Sequence, residues 1–154
     1  MTIAIGQQAP AFSLPSDAGE TISLEGLRGR TVVLFFYPKD DTPGCTTEVC
    51  EFRDSWAAVQ GSGTVLLGVS PDGVDSHRKF REKFSLPFPL LADEGHAVAD
   101  AYGTWGEKSM YGKKYYGVLR TTFIIDPAGS VRRVFEQVKP AGHAAEVLAA
   151  LSAP

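Results

Sequence analysis

Residues 31–37, TVVLFFY, leave no polar face on any strand they form. A half-exposed strand alternates apolar and polar side chains, whereas an unbroken apolar run must be covered on both sides. That run predicts a sheet with other elements packed above and below it. Residues 64–70 (TVLLGVS) and 121–126 (TTFIID) repeat the pattern. Segments of helical character lie between these strands. One starts near Thr42 and ends near Gly61, a residue suited to the position just past a helix end. A second covers Val74 to Phe84, a third runs from Gly95 to about Tyr102, and the last, rich in Ala and Leu, fits Ala144–Leu151. DPAG at 126–129 has turn composition and should join the strand ending at Asp126 to one over Val131–Val138. AFSLP and ETISL near the N-terminus read as a small hairpin. Buried strands alternating with helices predict an α/β layered sheet covered on both faces. Residues 103–118, GTWGEKSMYGKKYYGV, read as a long glycine- and aromatic-rich connection, either a packed surface loop or a functional one.

A chain of 154 residues is long enough for one domain with its own core, so 1–154 is expected to be a single domain. Hydrophobic content of 44% and charged content of 21% are those of an ordinary globular protein. The net charge of −3, with no dominant basic stripe, argues against nucleic acid as a partner. No apolar run approaches membrane-span length, and MTIAIGQQAP has no secretory pattern. The expected setting is therefore cytoplasmic and reducing. Two cysteines in such a setting read as catalytic, redox-active or incidental rather than as a permanent disulfide.

Both cysteines sit in PKDDTPGCTTEVCEF, at positions 45 and 50. Thr42 is a good N-cap, and Pro43 then takes the first helical position, where its missing N–H costs nothing. Cys45 falls in the first turn, facing unpaired amides and the positive end of the helix dipole. A free thiol is mostly protonated at neutral pH, and a helix end supplies only part of what the thiolate needs. A further donor or cation is expected beside Cys45, most simply an arginine from elsewhere in the fold. On an intact helix the two Cα atoms lie about 8.6 Å apart, whereas a disulfide spans at most about 6.8 Å. The two sulfurs either never bond, or bond only after the helix unwinds. Cys50 could equally be a packing residue on a core-facing helical position. Metal binding is not indicated, because His77, His96 and His143 are scattered and each reads as a surface or helix-end histidine.

Residues 38–45, PKDDTPGC, resemble the Pro-x-x-x-Thr-x-x-Cys signature of peroxiredoxins, and Cys50 follows at the spacing of one subgroup. APAFSLPSDAGETISL, SPDGVDSHRKFREKFSLPFPLLAD, WGEKSMYGKKYYGVLRTTFIID and DPAGSVRRVF extend the likeness, in order, over almost the whole chain. The chain resembles the peroxiredoxin Q, or bacterioferritin comigratory protein, type. The resemblance implies a thioredoxin-like fold with a central mixed sheet, and thiol-dependent reduction of hydrogen peroxide and organic hydroperoxides. By position, Cys45 would be the peroxidatic cysteine and Cys50 the resolving one, joined as an intramolecular disulfide. Thr42 would hydrogen-bond the peroxide, Pro38 would shield the sulfenate, and Arg120 would be the cation sought above. Glu48 would take a supporting hydrogen-bonding role. Read without the resemblance, Arg120 is an ordinary surface residue ahead of a buried strand. The resemblance also implies thioredoxin or glutaredoxin as reductant, no cofactor or metal, a monomer, and a part in antioxidant defence. No GGLG segment occurs and the chain does not end in Tyr-Phe, so it implies resistance to over-oxidation.

Two other functions compete. A thiol–disulfide oxidoreductase acting on proteins would want Cys-x-x-Cys and, by resemblance to thioredoxins, a proline just before RTTF; this chain has neither. A redox-switched binding or holdase protein could use the same disulfide to expose surface. Peroxide consumption by wild type and Cys45→Ser separates them.

Overall fold

The computed structural model describes residues 3–61 and 63–152. The apolar run becomes strand β3 (Val32–Phe36), and all five of its residues are buried. It lies near the middle of a five-stranded sheet of order β5-β4-β3-β8-β9, formed with β4 (Val65–Ser70), β5 (Leu90–Ala92), β8 (Thr121–Ile125) and β9 (Val131–Phe135). β3, β4 and β5 run parallel, while β8 and β9 add antiparallel pairings, so the sheet is mixed.

The strand period of two divides the core. Val32, Leu34 and Phe36 enter one hydrophobic cluster with Phe123, Ile125, Leu67, Ala99 and Tyr102. Val33 and Phe35 enter the other, with Cys45, Val49, Phe52, Phe80, Ile124 and Val147. The second face carries helices α1 (Pro43–Asp54), α2 (Trp56–Gly61), α3 (Val74–Phe84) and α5 (His143–Ser152). The first is covered by the short helix α4 (Ala97–Ala101) and by the N-terminal segment, including the hairpin of β1 (Ser13–Pro15) and β2 (Thr21–Ser23). Helices on both faces and a small N-terminal hairpin are as expected. Gly68 is required inside β4, since a Cβ there would stand 2.8 Å from the Phe35 ring and 2.9 Å from Leu90.

Several boundaries differ from the sequence reading. The helix expected from Thr42 to Gly61 is two helices, parted at Ser55, whose amide bonds back to Glu51 and Phe52. The helix from Gly95 begins only at Ala97, because Gly95 and His96 adopt left-handed backbone with φ of 82° and 55°. The strand from Val131 stops at Phe135 rather than Val138. Residues 103–118 are not a loop but mostly a hairpin, β6 (Trp105–Met110) and β7 (Lys113–Val118), fully paired in register. Tyr111 and Gly112 form its two-residue turn, both at positive φ, the geometry that suits strand twist. Among the described residues no helix is long and apolar enough to cross a membrane.

Candidate active site

β3 delivers the chain into the site. Its continuation, Tyr37, is buried; Pro38 is half-buried; residues 38–42 turn back; and Pro43 opens α1. α1 buries Cys45, Glu48, Val49 and Phe52, the three-and-four spacing of a single helical face. Phe52 stacks on Phe35 with ring centroids 4.9 Å apart, which fixes the helix over the sheet.

Cys45 is fully buried in the first turn of α1, and its Sγ accepts a hydrogen bond from Arg120 Nη2 at 3.3 Å. Arg120 sits between β7 and β8. Its other terminal nitrogen, Nη1, donates to Glu48 Oε1 at 2.7 Å. The guanidinium thus bridges a thiol and a carboxylate one helical turn apart on α1. Burial works against the Arg120 charge, but Glu48 and Cys45 outweigh it and hold the guanidinium even more firmly protonated than usual. Gly44 makes room for this approach, because a Cβ there would lie 3.2 Å from Arg120 Nη2 and 3.5 Å from Pro140.

Glu48 is the most compromised group of the site. Its side chain is sealed from solvent, and Oε2 has no hydrogen-bond partner among the described residues. Burial pushes its carboxyl up to about 7, against the lowering effect of Arg120. Lys108 on β6 adds a second cation at the edge of the site. Burial and the neighbouring Arg120 hold its ammonium below the ordinary lysine range, while Cys45 acts the other way. Its Nζ donates to Val118 O at 2.9 Å. Nothing in residues 103–118 read as a loop could have placed Lys108 here; the hairpin does.

Thr42 occupies the N-cap position with extended backbone, but its hydroxyl makes no capping bond. Oγ1 donates instead to Lys39 O at 2.9 Å, bracing the loop. The side-chain cap expected from the sequence is thus absent, and Pro43 follows in the first turn as expected. Cys50 is partly buried against the core below α1, and both cysteines are free thiols. With α1 continuous from Pro43 to Asp54, the helical separation of about 8.6 Å applies to the two Cα atoms.

Of the histidines, His77 corrects the sequence reading, being buried within α3, whereas His96 caps α4 and His143 opens α5, helix-end positions as expected. His77 and His143 are fully buried, and His96 stacks on Trp105 with centroids 3.7 Å apart. His143 Nε2 meets Thr122 Oγ1 at 2.7 Å, and burial lowers its proton affinity, so it is neutral near pH 7. His77, Asp40 and Asp72 bring three potential metal-ligand atoms within 4.8 Å of one another. His77 Nδ1 and Asp40 Oδ2 bond directly at 2.7 Å, so the cluster is satisfied by its own hydrogen bonds. Neither Asp40 nor the burial of His77 was visible in residue spacing.

Residues 5–134 match the model of the AhpC/TSA family. The chain is 50% identical over 151 residues to the putative peroxiredoxin bcp of Coxiella burnetii, covering 98% of this chain and 100% of that one. It is 48% identical to peroxiredoxin Bcp of Bacillus subtilis, over 98% and 96% of the two chains. Among solved structures, Xanthomonas campestris peroxiredoxin Q superposes with a TM-score of 0.87 at 42% identity, covering 91% of this chain and 89% of that one. A cysteine-to-serine mutant of Xylella fastidiosa PrxQ reaches 0.92 at 34% identity, over 98% and 96%.

Proposed function

This chain belongs to the AhpC/TSA family, as a Bcp-type peroxiredoxin and antioxidant thiol peroxidase on a thioredoxin-like fold, and we propose that Cys45 is its peroxidatic cysteine and Cys50 its resolving one. The single observation that carries this reading is the 3.3 Å contact between Arg120 Nη2 and Cys45 Sγ in the first turn of α1.

The Cys45 thiolate attacks the terminal oxygen of a hydroperoxide. The S–O bond forms as the O–O bond breaks, and the departing alkoxide or hydroxide takes a proton to leave as alcohol or water. Negative charge moves from sulfur to the leaving oxygen along one line. A guanidinium already fixed beside the sulfur and the free amides of the first helical turn stabilise that shift without reorganising, whereas the Thr42 hydroxyl must turn from Lys39 O to reach the peroxide. Arginine suits the task because its donors are planar and its charge permanent. Glu48 holds the guanidinium in place, and Pro38 limits water at the resulting sulfenic acid. The Cys50 thiol then attacks the Cys45 sulfenic sulfur, forming S–S and releasing water. The disulfide returns to two thiols by exchange with a dithiol reductant, for which we propose thioredoxin, with glutaredoxin as the alternative.

The second step requires movement. Two Cα atoms about 8.6 Å apart on a helix exceed disulfide reach, so the first turns of α1 must unwind before resolution. Intramolecular resolution needs no partner chain, which favours a monomer acting as one domain over residues 1–154. Reduction by thioredoxin favours a reducing, cytoplasmic setting. The published structural work on Xanthomonas campestris bacterioferritin comigratory protein concerns alkyl peroxide reduction. By likeness to it, organic hydroperoxides join hydrogen peroxide as proposed substrates.

A coupled assay with thioredoxin, its reductase and peroxide tests the assignment. Cys45→Ser should abolish peroxide consumption. Cys50→Ser should retain a single turnover and lose thioredoxin-driven cycling. Peroxide consumption unchanged in Cys45→Ser would overturn the assignment.

A further inference from the structure

Asp40 is the best-bonded side chain of the 38–42 loop, and none of its partners belongs to the Cys45–Arg120–Glu48 cluster. Its carboxylate is nearly sealed from solvent. Oδ1 accepts from Tyr37 Oη at 2.6 Å. Oδ2 accepts from Ser76 Oγ at 2.7 Å and faces His77 Nδ1 at 2.7 Å. The backbone amide of Asp40 donates to Asp72 Oδ2 at 2.8 Å, and that oxygen also takes the Ser70 hydroxyl at 2.6 Å. Both the main chain and the side chain of Asp40 are therefore tied to residues 70–77, the end of β4 and the first turn of α3.

The donors and acceptors around His77 constrain where its protons sit. Its ring is fully buried. Nε2 lies 2.8 Å from Leu91 O, a carbonyl that can only accept, so Nε2 carries a proton. Tyr37 Oη stands 3.3 Å from Nδ1, and burial followed by the Asp40 charge keeps that hydroxyl protonated and committed to Asp40. Ser76 spends its proton on Asp40 as well. With those hydroxyls donating to Asp40, a proton bridges Nδ1 and Oδ2. The titratable groups around the ring are Asp40 from the loop, Tyr37 from the end of β3, and Asp72 ahead of α3; Ser76 on α3 adds a hydroxyl.

We infer that His77, as a buried imidazolium paired with Asp40, is the positioning residue that holds the Cys45 loop in its attacking conformation. Asp40 stands two residues before Thr42 and five before Cys45. Between them Asp41 adopts a φ of 56°, in the left-handed region that aspartate enters more readily than most non-glycine residues, and the turn is held under restraint. The restraint comes from α3: Asp40 is gripped by His77 and Ser76, and Asp41 itself pairs with Lys83 at 2.9 Å. α3 thus sets the path by which the chain enters α1 over Arg120. His77 touches neither the thiol nor the guanidinium, so it acts through the loop. A buried ion pair of this kind contributes little net stability compared with well-packed apolar groups, but removing one partner strands the other.

This inference rests on Cys45 being the thiol that peroxide oxidises, and its test separates the two. In the reduced wild-type protein at neutral pH, long-range proton–nitrogen NMR should show both ring nitrogens of His77 protonated. A bare ring nitrogen would overturn the inference and leave the Cys45 assignment standing. In single-turnover stopped flow, below the unfolding temperature of each variant, His77→Gln and Asp40→Asn should slow Cys45 oxidation about tenfold or more. The later sulfenate-to-disulfide step should keep or exceed its wild-type rate, because a loosened loop does not hinder the unwinding, and the ring-nitrogen spectrum separates this role from a general loss of stability. Oxidation within about twofold of wild type in Asp40→Asn would contradict it. Cys45→Ser in the same assay should lose the oxidation phase altogether; its persistence would remove the premise as well. If His77→Gln does not fold, Asp40→Asn and the wild-type spectrum decide.

Discussion

At the scale of single residues, one partly buried guanidinium, Arg120, reaches both the Cys45 sulfur and the Glu48 carboxyl. Replacing Arg120 by Lys keeps a positive charge but loses the fork that reaches Cys45 Sγ and Glu48 Oε1 together. Arg120→Lys should lower the rate of Cys45 oxidation by about a hundredfold, the order expected when a fixed donor to developing charge is removed; stopped-flow kinetics with hydrogen peroxide checks this. Glu48 carries a pH signature. Its carboxyl is raised to about 7, above its unfolded value, so the fold prefers the protonated acid. The stability contributed by that preference is full below the unfolded value and is lost as pH rises through about 7. Relative to wild type, Glu48→Gln should therefore gain on the order of 3 kcal/mol between acid and mildly alkaline pH. Urea unfolding of both proteins across that range measures it, and parallel pH curves would contradict it. The need for a cation beside a first-turn thiol was legible beforehand, while Arg120 as that cation came only through the family resemblance. Glu48 as an acid with an orphaned oxygen, and Lys108 at the edge of the site, were not legible. Both depend on which faces of separate elements meet.

At the scale of elements, the proposed resolution makes α1 the moving part. Its buried face is Cys45, Glu48, Val49 and Phe52, so unwinding the first turns withdraws Cys45 while Phe52 can stay stacked on Phe35. Hydrogen exchange should accordingly speed up over residues 42–50 on oxidation and stay slow at Phe52 and beyond. Uniform protection across α1 in both redox states would mean that the helix never opens. Gly44 belongs to the same element: Gly44→Ala would push Arg120 Nη2 away from Cys45 and should reduce peroxide reactivity with little change in melting temperature. Sequence pattern located strands β3, β4 and β8 and helix α3 closely, because long apolar runs and strong helical spacing decide those segments locally. It missed the hairpin of β6 and β7. That ribbon pairs only with itself and bears exposed Tyr111 and Tyr116, so no buried face leaves a periodic trace. It also missed β5, three residues whose strand state depends on docking beside β4.

At the scale of the whole molecule, the mixed sheet is what brings residues 45, 48 and 120 together. β3 and β8 are adjacent and antiparallel, so the end of β3 that feeds α1 lies beside the start of β8 that follows Arg120. Phe36 pairs with Thr121, one residue past Arg120. The packing of the sheet should tolerate little change at its centre. Gly68→Ala would drive a methyl into Phe35 and Leu90 and should destabilise the fold by about 1–3 kcal/mol. Thermal or urea unfolding would show it, and a neutral effect would mean that those side chains yield freely. The two-sided burial of β3 was readable from TVVLFFY alone, and with it the layered architecture; the strand order that juxtaposes Cys45 and Arg120 was not, since local pattern carries no pairing partner. The central claim is that these two thiols form one reaction centre through an opening helix. Its most direct test is the mass of the peptide of residues 40–53, which holds both cysteines, after the reduced protein meets one equivalent of hydrogen peroxide under denaturing quench with a thiol-blocking reagent. The peptide should be unblocked and lighter by two hydrogen atoms, an internal Cys45–Cys50 disulfide. A peptide still carrying a blocking group on both cysteines, or a stable added oxygen on Cys45 beside a blocked Cys50, would contradict the account.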